Sequence, residues 1–129
     1  KEHYPNKLNL KLVTGLPFDE YVRTMLGSDA IMDQLYSYTP SMNPLEAMAH
    51  GIICIGGGEP ENYAILNETV LHPIINVLPT YESCVEELTK IVNNLSLVPS
   101  LRRQSYEYVR KHHDFIKVAQ AYSELYRGL

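Results

Sequence analysis

The residues best suited to chemistry lie in a polar loop that leads into a short helix. The loop, residues 37–43, reads Ser-Tyr-Thr-Pro-Ser-Met-Asn, and the helical pattern after it ends at Gly51. A helix start carries backbone N–H groups without intrahelical acceptors, and the helix dipole adds partial positive charge there. Such a place binds anions, phosphates among them. The side chains of Ser41 and Asn43 add further hydrogen-bonding groups.

Glu46 lies on the predicted first turn of this helix, and two interpretations of its carboxylate stay open. Asn43, Pro44 and Glu46 have the spacing of a capping box, with Asn43 as the N-cap and Glu46 as the third helical residue. Alternatively, the carboxylate accepts two hydrogen bonds from a ribose diol. The residues alone favour capping.

A second loop, residues 56–61, reads Gly-Gly-Gly-Glu-Pro-Glu after a buried apolar run. Glycines permit left-handed backbone and a close approach of the backbone to other atoms. Either the loop backbone contacts a phosphate or sugar ring of a ligand, or the loop is a tight turn that packs on the sheet edge. The loop is neither a dinucleotide fingerprint nor a P-loop. Glu61 is expected to cap the following helix, whereas Glu59 is open to either role.

Other candidate residues favour structural roles. Asp33 and Gln34 interrupt an apolar strand. A buried carboxylate needs a partner, so Asp33 either orients the neighbouring loop or faces solvent at the strand end. The five histidines have no metal-ligand spacing, and His112 and His113 are expected at the surface. The two cysteines form neither a disulfide framework nor a metal motif, which favours a reducing, cytoplasmic setting.

These residues are positioned by alternating strand and helix patterns. Apolar runs predict strands at residues 8–13, 30–36, 51–55 and 74–78. Helical periodicity predicts helices at residues 19–26, 43–50, 60–66, 81–94 and 99–126, the last with a break near residues 112–114. The pattern indicates an α/β fold with a parallel sheet covered on both faces. Ligands bind outside the carboxyl ends of such strands, where both loops fall.

Composition narrows the class of protein. The chain has 129 residues, 45% of them hydrophobic and 20% charged, which suits one folded domain. A net charge of −4 argues against nucleic acid as a main partner. The sequence has neither an apolar run of membrane-spanning length nor a signal-peptide pattern. Because it begins at Lys1 and enters a strand-like run at once, we expect a piece of a longer protein.

Two segments together carry a family resemblance. Residues 45–51 read L-E-A-M-A-H-G before an apolar strand, and residues 57–61 read G-G-E-P-E. The pair resembles the C-terminal, donor-binding domain of glycosyltransferases of the GT-B fold, above all the retaining family 4. The likeness covers roughly residues 9–94. It implies a Rossmann-like parallel sheet flanked by helices, with residues 1–98 as the α/β part and 99–129 as a long C-terminal helical segment.

The resemblance implies a donor site. Glu46 would hold the ribose hydroxyls of the nucleotide, and the backbone of Ser41, Met42 and Asn43 would offer N–H groups to the diphosphate. The second loop would complete the donor site through three residues: Gly57, Gly58 and Glu59. Where the family has another glutamate, eight positions before the first, this chain has Tyr38. Either Tyr38 and its neighbours replace that sugar contact, or the subgroup is divergent, or activity is lost.

The resemblance also implies an activity. A hexosyl group would move from a UDP- or GDP-sugar to an acceptor hydroxyl, without metal or cofactor, in polysaccharide or glycoconjugate synthesis. The acceptor, a glycan or lipid-linked sugar, would bind an N-terminal domain, so the fragment alone is expected to be inactive. No catalytic residue is assigned, and the family's diphosphate-binding Arg and Lys would lie upstream of Lys1. Peripheral membrane association of the parent enzyme stays open.

Two rival interpretations of the function stay open beside the resemblance to glycosyltransferases. A nucleotide-sugar epimerase of similar architecture is the enzyme rival, and it requires acid and base residues that the sequence does not display. A non-catalytic α/β module that binds nucleotides or sugars is the other.

Overall fold

Helices and parallel strands alternate along the chain in a computed structural model that describes residues 6–129. Lys1 therefore lies outside the described residues. The strands are β1 (Ala30–Met32) and β2 (Ile53–Ile55). The α-helices are α1 (Phe18–Leu26), α2 (Met42–Ala49), α3 (Pro60–Ile65), α4 (Tyr81–Asn93), α5 (Val98–His112) and α6 (Phe115–Arg127), with a 3₁₀ turn at Leu95–Leu97. This order confirms the predicted α/β class.

The parallel sheet is small. Strand β1 pairs with β2 in parallel, with Ala30 opposite Ile53 and Met32 opposite Ile55. On the other edge of β2, Ile55 forms a single parallel bridge with Ile75. The Ile75 N–H donates to the Cys54 carbonyl at 3.0 Å, and the Gly56 N–H donates to the Ile75 carbonyl at 2.8 Å. The predicted fourth strand thus lies beside β2 but pairs only at this bridge.

Strand β2 is buried on both faces. Because side chains alternate along a strand, Cys54 points to the face opposite Ile53 and Ile55. Cys54 packs with residues from α2, α3 and α5: Met48, Tyr63 and Tyr108, together with Ile74. Ile53 and Ile55 pack with Ile75 and Val77 and with residues of α4 and α5, among them Leu88, Ile91 and Leu101. This two-sided burial agrees with the unbroken apolar run in the sequence.

Several predicted strand bounds are wrong. Residues 8–13 contain no strand, and Leu10 and Leu12 are 75% and 92% exposed. An alternating pattern forms a strand only beside a partner, and residues 6–129 provide none for this segment. Strand β1 ends at Met32 because the chain turns at Gln34, whose φ is +29°. Strand β2 begins only at Ile53, since Gly51 (φ +71°) ends the preceding helix.

The C-terminal segment is two helices, with the predicted break confirmed. Helix α5 ends at His112, and the Asp114 carboxylate begins α6 by accepting hydrogen bonds from the N–H groups of Ile116 (3.0 Å) and Lys117 (3.2 Å). None of the residues of α6 is buried. Among residues 6–129, no helix is both long enough and apolar enough to cross a membrane.

A buried carboxylate ties α5 to the turn after α3. The Glu68 side chain has no exposed surface. Its Oε1 accepts hydrogen bonds from the N–H groups of Val70 (2.8 Å) and Leu71 (3.0 Å). Its Oε2 accepts from Lys111 Nζ (2.6 Å) and lies 2.5 Å from His112 Nε2. The surface position predicted for His112 is therefore wrong, because this contact holds its side chain at 11% exposure.

Replacing Glu68 by Gln should destabilise the fold in a pH-dependent way. The hydrogen bond from Lys111, then those from Leu71 and His112, lower the pKa of Glu68. Its stabilising effect is therefore fully present above its unfolded pKa of about 4.3 and is lost progressively as the pH falls below that. We expect Glu68→Gln to lower the free energy of unfolding by about 1–3 kcal/mol at pH 7 in urea denaturation.

The control is Glu124→Gln, which changes an exposed glutamate of α6. It should alter the unfolding free energy by less than about 0.5 kcal/mol. A Glu68→Gln difference that stays constant between pH 7 and pH 3 would contradict the assigned ionic role.

Candidate functional site

Helix α2 begins earlier than the sequence predicts. Its N-cap is Ser41 (φ −81°, ψ −176°) and its first residue is Met42, so Asn43 is the second residue and Glu46 the fifth. The predicted capping box between Asn43 and Glu46 is therefore wrong. Pro44 suggested the later helix start because proline is typical of the first helical position. The N–H groups of the whole first turn lack intrahelical acceptors, however, so a proline fits at the third position as well as at the first.

The start of α2 offers unpaired backbone N–H groups. The Ser41 carbonyl accepts the first helical bond, from the Leu45 N–H at 3.2 Å. The Ser41 side chain makes no capping hydrogen bond. Among the described residues no acceptor bonds to the N–H of Met42 or Asn43, and both residues are exposed. An anion can therefore reach these two groups from solvent.

The loop before α2 is fixed by Asp33. The Ser41 Oγ donates a hydrogen bond to Asp33 Oδ2 at 2.5 Å, across eight residues. Burial first and the Asp33 charge second raise the pKa of the Cys54 thiol to about 12, so this carboxylate lies near the end of the sheet. Of the two roles open for Asp33, that of orienting the neighbouring loop is confirmed.

Glu46 and Asp33 both lie near Tyr21. Burial first, then the charges of Asp33 and Glu46, raise the pKa of the Tyr21 phenol. The Glu46 side chain is exposed and makes no hydrogen bond or ion pair within residues 6–129. Tyr21 was not predicted as a site residue, because its spacing on α1 marks only the apolar face that packs on Met25. Its packing against the cluster of Met25, Ala47 and Ile52 places it beside α2, which no local pattern in the sequence indicates.

The arrangement combines two chemistries. Unpaired N–H groups at a helix start favour an anion. Carboxylates such as Glu46 repel an anion but accept hydrogen bonds from hydroxyl groups. The place therefore suits a ligand that carries an anionic group and hydroxyls on neighbouring parts of one molecule.

The glycine loop packs directly on the loop before α2. Gly57 has a φ of +74°, and a Cβ at this position would lie 2.8 Å from both Pro40 N and the Thr39 carbonyl carbon. A Cβ on Gly58 would lie 2.9 Å from Ile74 Cγ2. Protein atoms thus fill the space that a side chain would need, which favours the packed-turn interpretation of the glycines. The contact also brings the two predicted loops together at the carboxyl ends of β1 and β2.

Two of the predicted donor residues, Tyr38 and Gly58, line different depressions in the surface. Tyr38, which is 66% exposed, lines a shallow depression of about 500 Å³ with Gln34, Tyr36 and Ser37. Gly58 lines a second one, of about 520 Å³, beside α3 and Glu68. Glu59 is the N-cap of α3, and its side chain makes no capping bond. Ser41, Met42, Asn43 and Glu46 share α2 and its N-cap.

Comparisons with known proteins give no family for this chain. No family model, curated protein or solved structure matches it. Within residues 6–129, no group of three or more His, Cys, Asp or Glu side chains could hold a metal ion.

Substituting Gly57 by Ala should separate the two loops at a measurable cost. Left-handed backbone alone disfavours alanine, and the collision with Thr39 and Pro40 adds to that penalty. We expect Gly57→Ala to lower the unfolding free energy by about 2–4 kcal/mol, measured by urea denaturation.

Gly15→Ala is the matched control, because Gly15 also has a positive φ (+62°) but a Cβ there would meet nothing within 4 Å. It should cost only about 1 kcal/mol, the penalty of the backbone conformation. Equal costs for the two variants would show that the contact between the loops does not constrain them.

Proposed function

We propose that this chain is the donor-binding domain of a glycosyltransferase of the GT-B fold, with a Rossmann-like sheet, and that it binds a UDP- or GDP-sugar. One observation carries the proposal. The uncapped N–H groups of Met42 and Asn43 lie on the same short helix as the unpaired carboxylate of Glu46, after the carboxyl end of β1. The resemblance of residues 45–51 and 57–61 to the retaining family 4 adds the reaction class.

In this proposal the donor diphosphate accepts hydrogen bonds from the N–H groups of Met42 and Asn43. The dipole of α2 contributes about 0.3–1 kcal/mol to each such charge contact in its first turn. Glu46 accepts hydrogen bonds from the ribose hydroxyls, and bonds to an ionised acceptor are stronger than neutral ones. Tyr38 and Glu59 would offer polar groups to the donor from the two neighbouring loops. Gly57 and Gly58 are buried and would act only by letting the second loop pack closely.

The same groups would assist sugar transfer. The bond between the anomeric carbon and the diphosphate oxygen breaks, a bond to the acceptor hydroxyl oxygen forms, and the hydroxyl proton passes to the leaving diphosphate or to solvent. Negative charge then grows on the leaving diphosphate, where N–H groups and a helix dipole stabilise it without a metal ion. The acceptor and the basic side chains that complete the diphosphate site would come from an N-terminal part of the enzyme.

A non-catalytic module that binds nucleotide sugars is the second candidate. Tyr38 favours it, because an exposed phenol stands where the related enzymes have a glutamate against the donor sugar. A phenol offers the sugar an O–H group, whereas the carboxylate of a glutamate offers two charged acceptor oxygens. Such a module would bind the donor and leave its glycosidic phosphate bond intact.

Nucleotide titrations test the donor site. We expect saturable binding of UDP or GDP by isothermal calorimetry, and we expect Glu46→Ala to weaken it at least about tenfold, a loss of about 1.4 kcal/mol. Glu46→Gln should weaken it less, because the amide oxygen still accepts from a hydroxyl. Glu61→Ala is the control, an exposed glutamate in the first turn of α3, and it should leave affinity unchanged.

Two outcomes would contradict parts of this proposal. If neither UDP, GDP nor their sugars bind, the donor-domain function is wrong. If they bind and Glu46→Ala binds equally well, the ribose contact lies elsewhere. Assays of hydrolysis and epimerisation on the bound donor identify an epimerase, which converts the sugar. A donor domain without its acceptor and a non-catalytic module both leave the sugar unchanged.

A further inference from the structure

Ser41 has the backbone of a capping serine but not the capping bond. Its φ of −81° and ψ of −176° are those of the extended conformation that N-cap residues adopt. A capping serine turns its hydroxyl oxygen toward the N–H of the second or third helical residue. Here the hydroxyl donates instead to Asp33 Oδ2 at 2.5 Å.

Only one N–H is available for Ser41 to cap. The third helical residue is Pro44, which has no N–H, so capping would have to use Asn43. The backbone of Ser41 already suits that bond, and rotation about its Cα–Cβ bond would bring the oxygen over. In the structure the Ser41 hydroxyl bonds to Asp33 and not to the Asn43 N–H, and the hydrogen bond to Asp33 stabilises this orientation of the side chain.

We propose that Asp33 is a positioning residue that keeps the N–H of Asn43 uncapped by holding the Ser41 hydroxyl. The consequence for ligands rests on the proposed function: the uncapped group is one of those that would receive the donor diphosphate. Asp33 itself carries a negative charge and does not contact the diphosphate favourably. It acts through Ser41.

Two neutral variants separate this role from the charge of Asp33. Asp33→Asn keeps an oxygen that accepts from Ser41, whereas Asp33→Ala keeps none. Both remove the same charge, so electrostatic repulsion of an anion changes equally in the two. The double variant Asp33→Ala with Ser41→Ala lacks the hydroxyl that Asp33→Ala releases. It is therefore the control for any loss of stability that Asp33→Ala causes by itself.

The first measurement needs no nucleotide. Hydrogen exchange of the Asn43 amide, followed by NMR, should be about fivefold slower in Asp33→Ala than in Asp33→Asn, because the released serine caps it. The double variant should restore fast exchange. If Asp33→Ala is too unstable to measure, Ser41→Ala alone should leave the exchange of the Asn43 amide as fast as in the unchanged chain.

The second measurement is affinity for the nucleoside diphosphate that the unchanged chain binds. Asp33→Ala should bind about fivefold more weakly than Asp33→Asn, since only the uncapped fraction is competent, and the double variant should recover the loss. A purely structural role for Asp33 would not produce that recovery.

Equal Asn43 exchange in Asp33→Ala and Asp33→Asn would overturn the inference, as would slow exchange of the Asn43 amide in Ser41→Ala. The proposed function is tested by a different result, the binding of a nucleotide. If exchange changes as expected and no variant binds a nucleotide, the positioning role of Asp33 stands and the donor function fails. If nucleotides bind and exchange does not change, the donor function stands and the role of Asp33 fails.

Discussion

The contact between two loops at the carboxyl ends of β1 and β2 is the constraint on which the candidate site depends. Parallel pairing brings these strand ends to one edge of the sheet. Gly57 then lets the second loop touch the backbone of the first, and Gly56 lets it touch Asp33 just after β1, because a Cβ on either would lie within 2.8 Å of a backbone atom. The start of α2 is consequently presented at the sheet edge from a fixed loop.

The support beneath this edge comes from distant parts of the chain. Tyr108 of α5 is fully buried against Met48 and Cys54, so α5 underlies both α2 and β2. Its phenol accepts a hydrogen bond from Asn62 at 2.9 Å, and Glu68 ties its end to the turn after α3. The buried Asn62, Tyr108 and Glu68 side chains all have hydrogen-bond partners, the condition under which burial does not destabilise polar groups. The Nε2 atom of His113, whose ring lies 5.6 Å from that of Tyr108, is buried without a partner among residues 6–129.

The candidate site contains groups that attract an anion and groups that repel one. The N–H groups that begin α2 attract an anion, whereas Asp33 and Glu46 oppose one. The Asp33 carboxylate accepts a hydrogen bond from the Ser41 hydroxyl. Glu46 lies on the second turn of α2, whereas the uncapped N–H groups lie on the first. A ligand with a diphosphate and a sugar diol would satisfy both kinds of group at once, whereas a bare anion would satisfy only one.

Sequence alone determined the order of helices, the buried character of β2 and the break at His113, because local periodicity and capping residues specify them. It also identified both loops and, as one of two alternatives, the orienting role of Asp33. Tertiary structure decided that residues 8–13 form no strand, that α2 begins at Met42, and that the glycines pack on protein. Two of those outcomes depend on partners elsewhere in the chain: a strand needs a neighbour, and Gly57 packs on Thr39 and Pro40. Local patterns do not contain these contacts.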